Sequence, residues 1–269
     1  MINRSSQITE VDAFAERQAA DSLSDLRIAK IAAIRVRRLI SEVACQQISG
    51  RLTGSGTAVE HSDVKGLHVV GLSHFQAVRD AKLSDRYAAE ALTSAGALRA
   101  LASPFASPFD SALAFLSEFW PAGAQLLELP TEGRLSPFTI RIYREGVEIE
   151  PHQDILAAES PKDQVANSLI DQFGANLYLS MAESGGALEL FDTDYATTGY
   201  KDLSEGPRVV SRSLLPKPSA TIVPSVGDLI IFPSRRLHSV SASRGRGARI
   251  TVSFFIGIEN SLSPLKIWA

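Results

Sequence analysis

From Phe138 to Ile258 the apolar residues of this chain recur at every second position, and that period leaves little choice of fold. Phe138-Thr139-Ile140-Arg141-Ile142-Tyr143 alternates, as do Val147-Glu148-Ile149-Glu150, Asn176-Leu177-Tyr178-Leu179-Ser180-Met181 and Ala187-Leu188-Glu189-Leu190-Phe191. Residues 220–223, 228–232, 237–241 and 249–258 continue the series. Successive residues of an extended chain point to opposite faces, so the alternation marks strands with one side turned to a core. Eight short strand candidates punctuated by Gly, Pro and Asp read as a sandwich or barrel.

The first half has a different period. Residues 1–22 are polar and read as a loosely ordered arm. Leu26, Ile31, Ile34, Leu39 and Val43 recur at helical spacing, with basic residues between them, which predicts an amphipathic helix over 23–48. Residues 49–57 read as a Gly/Ser/Thr loop, 67–72 as a strand, and 84–101 and 111–119 as helices, the last stopped before Pro121. The expected fold class is α+β: a double-stranded β-helix of the jelly-roll, cupin-like kind, with a helical N-terminal half packed on it. We expect a single domain over 1–269, divided into the arm at 1–22, mainly helical support at 23–128 and the jelly-roll core at 129–269. Residues 156–175 and 192–219 are the expected irregular loops, long enough to serve as lids.

Composition narrows the function. With 27 Lys and Arg against 30 Asp and Glu, the chain carries a formal charge of −3, which argues against a nucleic-acid partner. No apolar run approaches the ~20 residues that span a bilayer, so no membrane partner is expected. Cys45 is the only cysteine. An intramolecular disulfide is impossible, and with no secretory signal at the N-terminus a cytoplasmic location is expected.

The chemistry concentrates in Pro151-His152-Gln153-Asp154 and, far downstream, His238. On an extended segment residues two apart face the same side, so an imidazole and a carboxylate can reach one ion. His238 lies in another strand candidate, and a jelly roll makes distant strands neighbours. His152, Asp154 and His238 are therefore candidate metal ligands and catalytic residues. Two neutral imidazoles and one carboxylate suit Fe(II) and leave three positions for an oxo-acid and O2; zinc is the competing metal. His61, His68 and His74 lack such a frame and read as structural histidines.

Arg249 opens the last apolar strand candidate. Its planar guanidinium matches a carboxylate, and Thr251 and Ser253 share its face at period two. These three residues, with Tyr178 on a facing strand, are candidates for holding the anionic end of a co-substrate. Asn176 is a further hydrogen-bonding candidate beside Tyr178.

At these residues the chain resembles the Fe(II)/2-oxoglutarate-dependent oxygenases. More narrowly, it resembles the small-molecule branch that holds the N-succinyl amino-acid hydroxylase and the carrier-independent halogenases of indole alkaloid pathways. The stretches 130–133, 138–141, 144–149, 183–188, 227–232, His238 through Arg249 and Ile267-Trp268 carry it, together with the His152 motif. The resemblance covers residues 129–269 well and the first half weakly. It implies that His152, Asp154 and His238 bind iron, that Arg249 binds the distal carboxylate of 2-oxoglutarate, and that O2 is the second co-substrate. The halogenases of that branch carry Gly where this chain has Asp154, so the resemblance implies a hydroxylase that releases succinate and CO2.

The expected substrate is a small molecule, a free or N-acylated amino acid being the leading candidate. Arg79, Arg86, Arg141, Arg208 and Arg212 could meet its carboxylates; Ile149, Ile155, Leu156 and Phe191 could line an apolar pocket. Two other readings stand beside this one. The first is a non-oxidative cupin-like metal protein, whether isomerase, hydrolase or binding module, which would have no need of Arg249. The second is a halogenase, which Asp154 opposes.

Overall fold

The structure is a computed structural model that describes residues 7–12, 19–62, 64–194 and 209–269. The first half runs β1 (Ile8–Asp12), α1 (Ala19–Arg27), β2 (Ala33–Arg37), α2 (Glu42–Gly54), β3 (Val59–Glu60), β4 (Leu67–Val70), α3 (His74–Arg79), α4 (Ala81–Ala102) and α5 (Pro108–Phe119). Short strands β5 (Ala124–Leu126), β6 (Glu128–Leu129) and β7 (Gly133–Arg134) follow. The second half runs β8 (Thr139–Tyr143), β9 (Ile149–His152), α6 (Leu156–Glu159), α7 (Gln164–Ser168), β10 (Asp171–Ser180) and β11 (Leu188–Asp194). It ends with β12 (Ala220–Ile222), β13 (Leu229–Pro233), β14 (Arg236–Val240), β15 (Arg249–Ile258) and β16 (Leu265–Trp268).

The strands β8 to β15 fold as one long hairpin wound on itself. Its ladders are β8 with β15, β9 with β14, β10 with β13 and β11 with β12. Two facing sheets result. The larger contains β13-β10-β15-β8 and is extended by β2 and β1 at one end and by β4 and β3 at the other. The smaller is β12-β11-β14-β9. This is jelly-roll connectivity, and it explains why residues far apart in sequence meet.

The period-two pattern acquires its meaning in the larger sheet. Ile140, Ile142, Ala175, Leu177, Ile250, Val252 and Phe254 turn outward into one core with Cys45 and Ile48 of α2 and Phe109, Phe115 and Leu116 of α5. Each Ile, Leu, Val or Phe side chain removed from water contributes about 1.5–3 kcal/mol. The alternate residues point between the sheets, and on β8, β10 and β15 many of them are polar. Helices are thus packed on the outside so that the inside is free for chemistry.

The long helix expected over 23–48 does not form. Ala29 adopts a left-handed conformation (φ 56°) after α1, and Ala33–Arg37 forms β2 instead. Ile34 and Val36 pair with Ile231 and Leu229 of β13, and the Arg35 guanidinium binds Asp228 at 2.7 Å. An edge of unpaired backbone on β13 offers this segment more than a helical face would, and the β-branched residues suit it. The first half is therefore mixed rather than helical: β1 to β4 extend the larger sheet. Likewise α2 continues to Gly54 where a loop was expected. Residues 156–175 hold α6, α7 and the start of β10 rather than an open loop. Of the second expected loop, 195–208 lie outside the described residues, and Val210 runs back along β9, its N–H donating to the Pro151 carbonyl at 2.8 Å. No helix among the described residues is long and apolar enough to cross a membrane.

Candidate metal centre

His152 and His238 face each other directly across the β9–β14 ladder, their ring centroids 4.2 Å apart. Asp154 follows two residues after His152. Its Oδ2 lies 3.6 Å from His152 Nε2 and 3.3 Å from His238 Nε2. Among the described residues these three form a group whose ligand atoms all lie within 4.8 Å of one another.

The surroundings fix each donor. His152 Nδ1 is 2.8 Å from the Glu150 carbonyl, and His238 Nδ1 is 3.0 Å from the Arg236 carbonyl. A carbonyl can only accept, so Nδ1 carries the hydrogen in both rings and each Nε2 presents a lone pair to the centre. Asp154 is held through its backbone: its N–H donates to Ser234 O at 3.0 Å, and its carbonyl accepts from Gln172 Nε2 at 3.0 Å. Burial pushes His152 down to about 4, aided by His238 and opposed by Asp154. Its imidazole is therefore neutral near pH 7, as a ligand must be. Burial works against the charge of Asp154, but the two histidines and Arg141 overcome it and hold the carboxyl below the usual carboxylate range. Two lone-pair imidazoles and one ionised carboxylate converging on a point are the donor set that Fe(II) takes, with further positions left open.

A second cluster lies deeper between the sheets. Arg249 is 1% exposed. Its guanidinium lies 4.2 Å from the Tyr143 ring centroid and 5.3 Å from that of Tyr178. Its Nε and Nη1 are buried without a hydrogen-bond partner. A buried guanidinium left this way is costly, and the carboxylate of a small dicarboxylic acid would satisfy it. Gly186 makes room: a Cβ there would lie 3.1 Å from Arg249 Cδ, on a backbone with φ +66°. Thr251 and Ser253 share a hydrogen bond of 3.0 Å on the same face.

One cavity joins the two clusters. Its walls include His152, Asp154, His238, Arg249, Ser253, Asn176, Arg141 and Ile149. Thr251 and Tyr178 lie fully buried behind it. Three expected apolar pocket residues are not brought to it. Phe191 alternates with the inward Leu188 and Leu190, so it faces away and packs with Val210 and Leu237 on the outer side of the smaller sheet. Ile155 precedes α6, and Leu156 enters a separate core with Leu127 and Trp268. Among the candidate cations Arg86 binds Glu90 at 2.6 Å, Arg212 binds Glu189, and Arg79 lies over the Phe75 ring. Arg208 lies outside the described residues. His74 is buried between Glu132 and Glu159, each at 2.7 Å.

Sequence reading missed Tyr143, Thr139, Leu188, Phe232 and Val240, all of which line the cavity. Tyr143 was findable: it shares the face of Arg141 at period two, and it pairs with Arg249 across β8–β15. The others carry no signal beyond being apolar or small.

The family model described as carrier-protein-independent halogenase WelO5 matches residues 6–269. No curated protein matches the chain by sequence. Among solved structures, an N-substituted L-amino acid dioxygenase from Burkholderia ambifaria superposes with TM-score 0.55 at 17% identity, covering 93% of this chain and 91% of that one. The same enzyme in complex with α-ketoglutarate gives 0.58 at 15% identity, with the same coverage. HygX from Streptomyces hygroscopicus, with nickel and 2-oxoglutarate bound, gives 0.51 at 13% identity over 90% of this chain and 87% of that one. At these identities the structures report a shared fold.

Proposed function

Since the chain belongs to the family of the carrier-protein-independent halogenase WelO5, we propose that it is an Fe(II)- and 2-oxoglutarate-dependent dioxygenase that hydroxylates an unactivated C–H bond of a small molecule. The observation that carries this reading is the His152–Asp154–His238 group opening into the same cavity as a buried Arg249 with unpartnered nitrogens. In this reading residues 1–269 form one oxygenase domain working in the cytoplasm, without nucleic-acid or membrane partners. The substrate is a free or N-acylated amino acid; the N-substituted amino acid dioxygenase of the same fold supports that class.

His152, Asp154 and His238 would hold Fe(II). Arg249 binds the far carboxylate of 2-oxoglutarate, with Thr251, Ser253 and Tyr178 fixing its end of the cavity. Iron bound there supplies the oxidative chemistry, in which 2-oxoglutarate and O2 are consumed and succinate and CO2 released. The protein positions both substrates and keeps water out. Ile149 and the aromatic Phe232 give the substrate an apolar wall.

The family description favours halogenation as the second reading. Against it stands the Asp154 carboxylate, turned towards both histidines; it fills the position that a halide would need. A non-oxidative cupin would have no use for Arg249. The test is anaerobic addition of Fe(II) and 2-oxoglutarate to apoprotein. A metal-to-ligand charge-transfer band that is lost in Arg249→Ala is expected, and absence of the band refutes the proposal. Mass spectrometry of products made in chloride buffer then separates hydroxylation from chlorination.

A further inference from the structure

The cavity is lined by three side chains charged near pH 7: Asp154, Arg249 and Arg141. Under the function proposed above, two of them are accounted for. Asp154 and one carboxylate of 2-oxoglutarate neutralise the ferrous ion, and the other carboxylate neutralises Arg249. Arg141 is left over. It cannot shed its charge at any working pH, and an uncompensated cation in a low-dielectric cavity is costly.

Its position is set by the sheet. Arg141 pairs with Thr251 across β8–β15, one inward step from the Tyr143–Arg249 pair. It therefore projects between the sheets on the same face as Arg249. Its side chain is hydrogen-bonded to Tyr143, and among the described residues Asp154 is the carboxylate that acts on it; that group is turned to the two histidines. Unlike Arg249 it is only partly buried, so a molecule entering the cavity can reach it. Ile149, Leu188 and Val240 line the same cavity from the facing sheet, and Phe232 lines it from β13. The cavity therefore offers a cation and an apolar wall together.

We propose that Arg141 is the substrate-recognition cation: it pairs with a carboxylate of the substrate, whose apolar body lies along Ile149, Leu188 and Val240. The substrate is then an organic acid with an aliphatic or aromatic body, and the acid group sits beside the iron site rather than in solvent. The inference rests on the proposed function. The same guanidinium could instead hold the inner carboxylate of 2-oxoglutarate, and the experiment separates the two sources.

The holoenzyme with Fe(II) and 2-oxoglutarate is prepared without oxygen, and its charge-transfer band is titrated with matched acid and amide pairs. Probes are N-acetyl-L-leucine with its amide, N-acetyl-L-phenylalanine with its amide, and the free amino acids with theirs. At least one acid is expected to perturb the band and to bind about 10-fold or more tighter than its amide, the strength of a charge-assisted hydrogen bond. Arg141→Gln is expected to erase that preference while the band still forms at the same 2-oxoglutarate concentration. Arg141→Lys is expected to restore part of the preference, which a purely structural role would not predict. Acids and amides binding alike, or no acid perturbing the band at millimolar concentration, overturns the proposal. So does an Arg141→Gln variant that weakens 2-oxoglutarate and keeps the acid preference, since Arg141 would then serve the co-substrate. Failure of the band to form in the unmutated protein sinks the function itself and is distinguishable from all of these.

Discussion

His152 and His238 occupy directly opposed positions on neighbouring antiparallel strands, and each turns its Nε2 towards the Asp154 carboxylate. Cross-strand neighbours are held at a fixed spacing by the ladder, so the pair is built by the sheet before any ion arrives. Removing either ring should therefore leave the fold intact. His152→Ala and His238→Ala are each expected to lower Fe(II) affinity by more than the ~10–100-fold that loss of an outer partner of a ligand costs, measured by titration of the charge-transfer band, with thermal stability of the apoprotein little changed.

In the proposed function Asp154 decides between hydroxylation and halogenation. In Asp154→Gly the third protein donor is lost, and hydroxylated product is expected to fall to background. Chloride or azide should then shift the charge-transfer band of the variant and leave that of the unmutated protein unchanged. Equal halide sensitivity of both proteins would contradict the role given to the carboxylate.

Arg249 and its aromatic neighbours should act on co-substrate affinity alone. Replacing a buried charge-assisted partner costs about 1.5–3 kcal/mol per hydrogen bond, so Arg249→Met is expected to weaken 2-oxoglutarate by about 10²-fold or more. Tyr143→Leu removes the ring 4.2 Å from the guanidinium and should weaken it by about 0.5–2 kcal/mol. Fe(II) affinity measured without 2-oxoglutarate should stay the same in both variants.

Phe191 gives the opposite signature. It is 1% exposed and packs on the outer side of the smaller sheet. Phe191→Ala should cost about 3–5 kcal/mol of stability, seen in denaturant melts, with the KM values of the folded fraction unchanged. A substrate-specific rise in KM would return Phe191 to the pocket.

His74 links stability to pH. Burial opposes its charge, but Glu159 and Glu132 overcome that and raise its pKa above the ordinary value. A histidine raised on folding stabilises in full below its unfolded pKa of about 6.5. That contribution is lost as pH rises through the folded value. The melting-temperature advantage over His74→Gln should be largest below about pH 6.5 and shrink as the pH rises. An advantage that is constant with pH would show that the histidine is held neutral.

The strands of the second half were legible because a half-buried strand writes its two faces into alternate residues, as residues 139–143 and 249–258 show. The ligand motif was legible for a related reason, since His152 and Asp154 are local to each other, and the family resemblance read from these stretches is borne out by the match over 6–269. β2 was not legible. Its Ile34 falls in a helical series with Leu26, Ile31 and Leu39, while Ile34 and Val36 also fit one face of a strand, and the choice was made by β13, almost two hundred residues away in the chain. Phe191 was misread because its run alternates at period two but says nothing of which side is the interior.

The sequence by itself determined the donor types, the period of each segment and the presence of a carboxylate at 154, since these are local and chemical. Tertiary structure decided which residues share the cavity. It opposed His238 to His152, set Arg249 between Tyr143 and Tyr178, and placed Arg141 inward while Arg79, Arg86 and Arg212 found other partners. The reason is that a jelly roll pairs strands from opposite ends of its hairpin, and the register of those pairs, which no single segment encodes, chooses the face each side chain occupies.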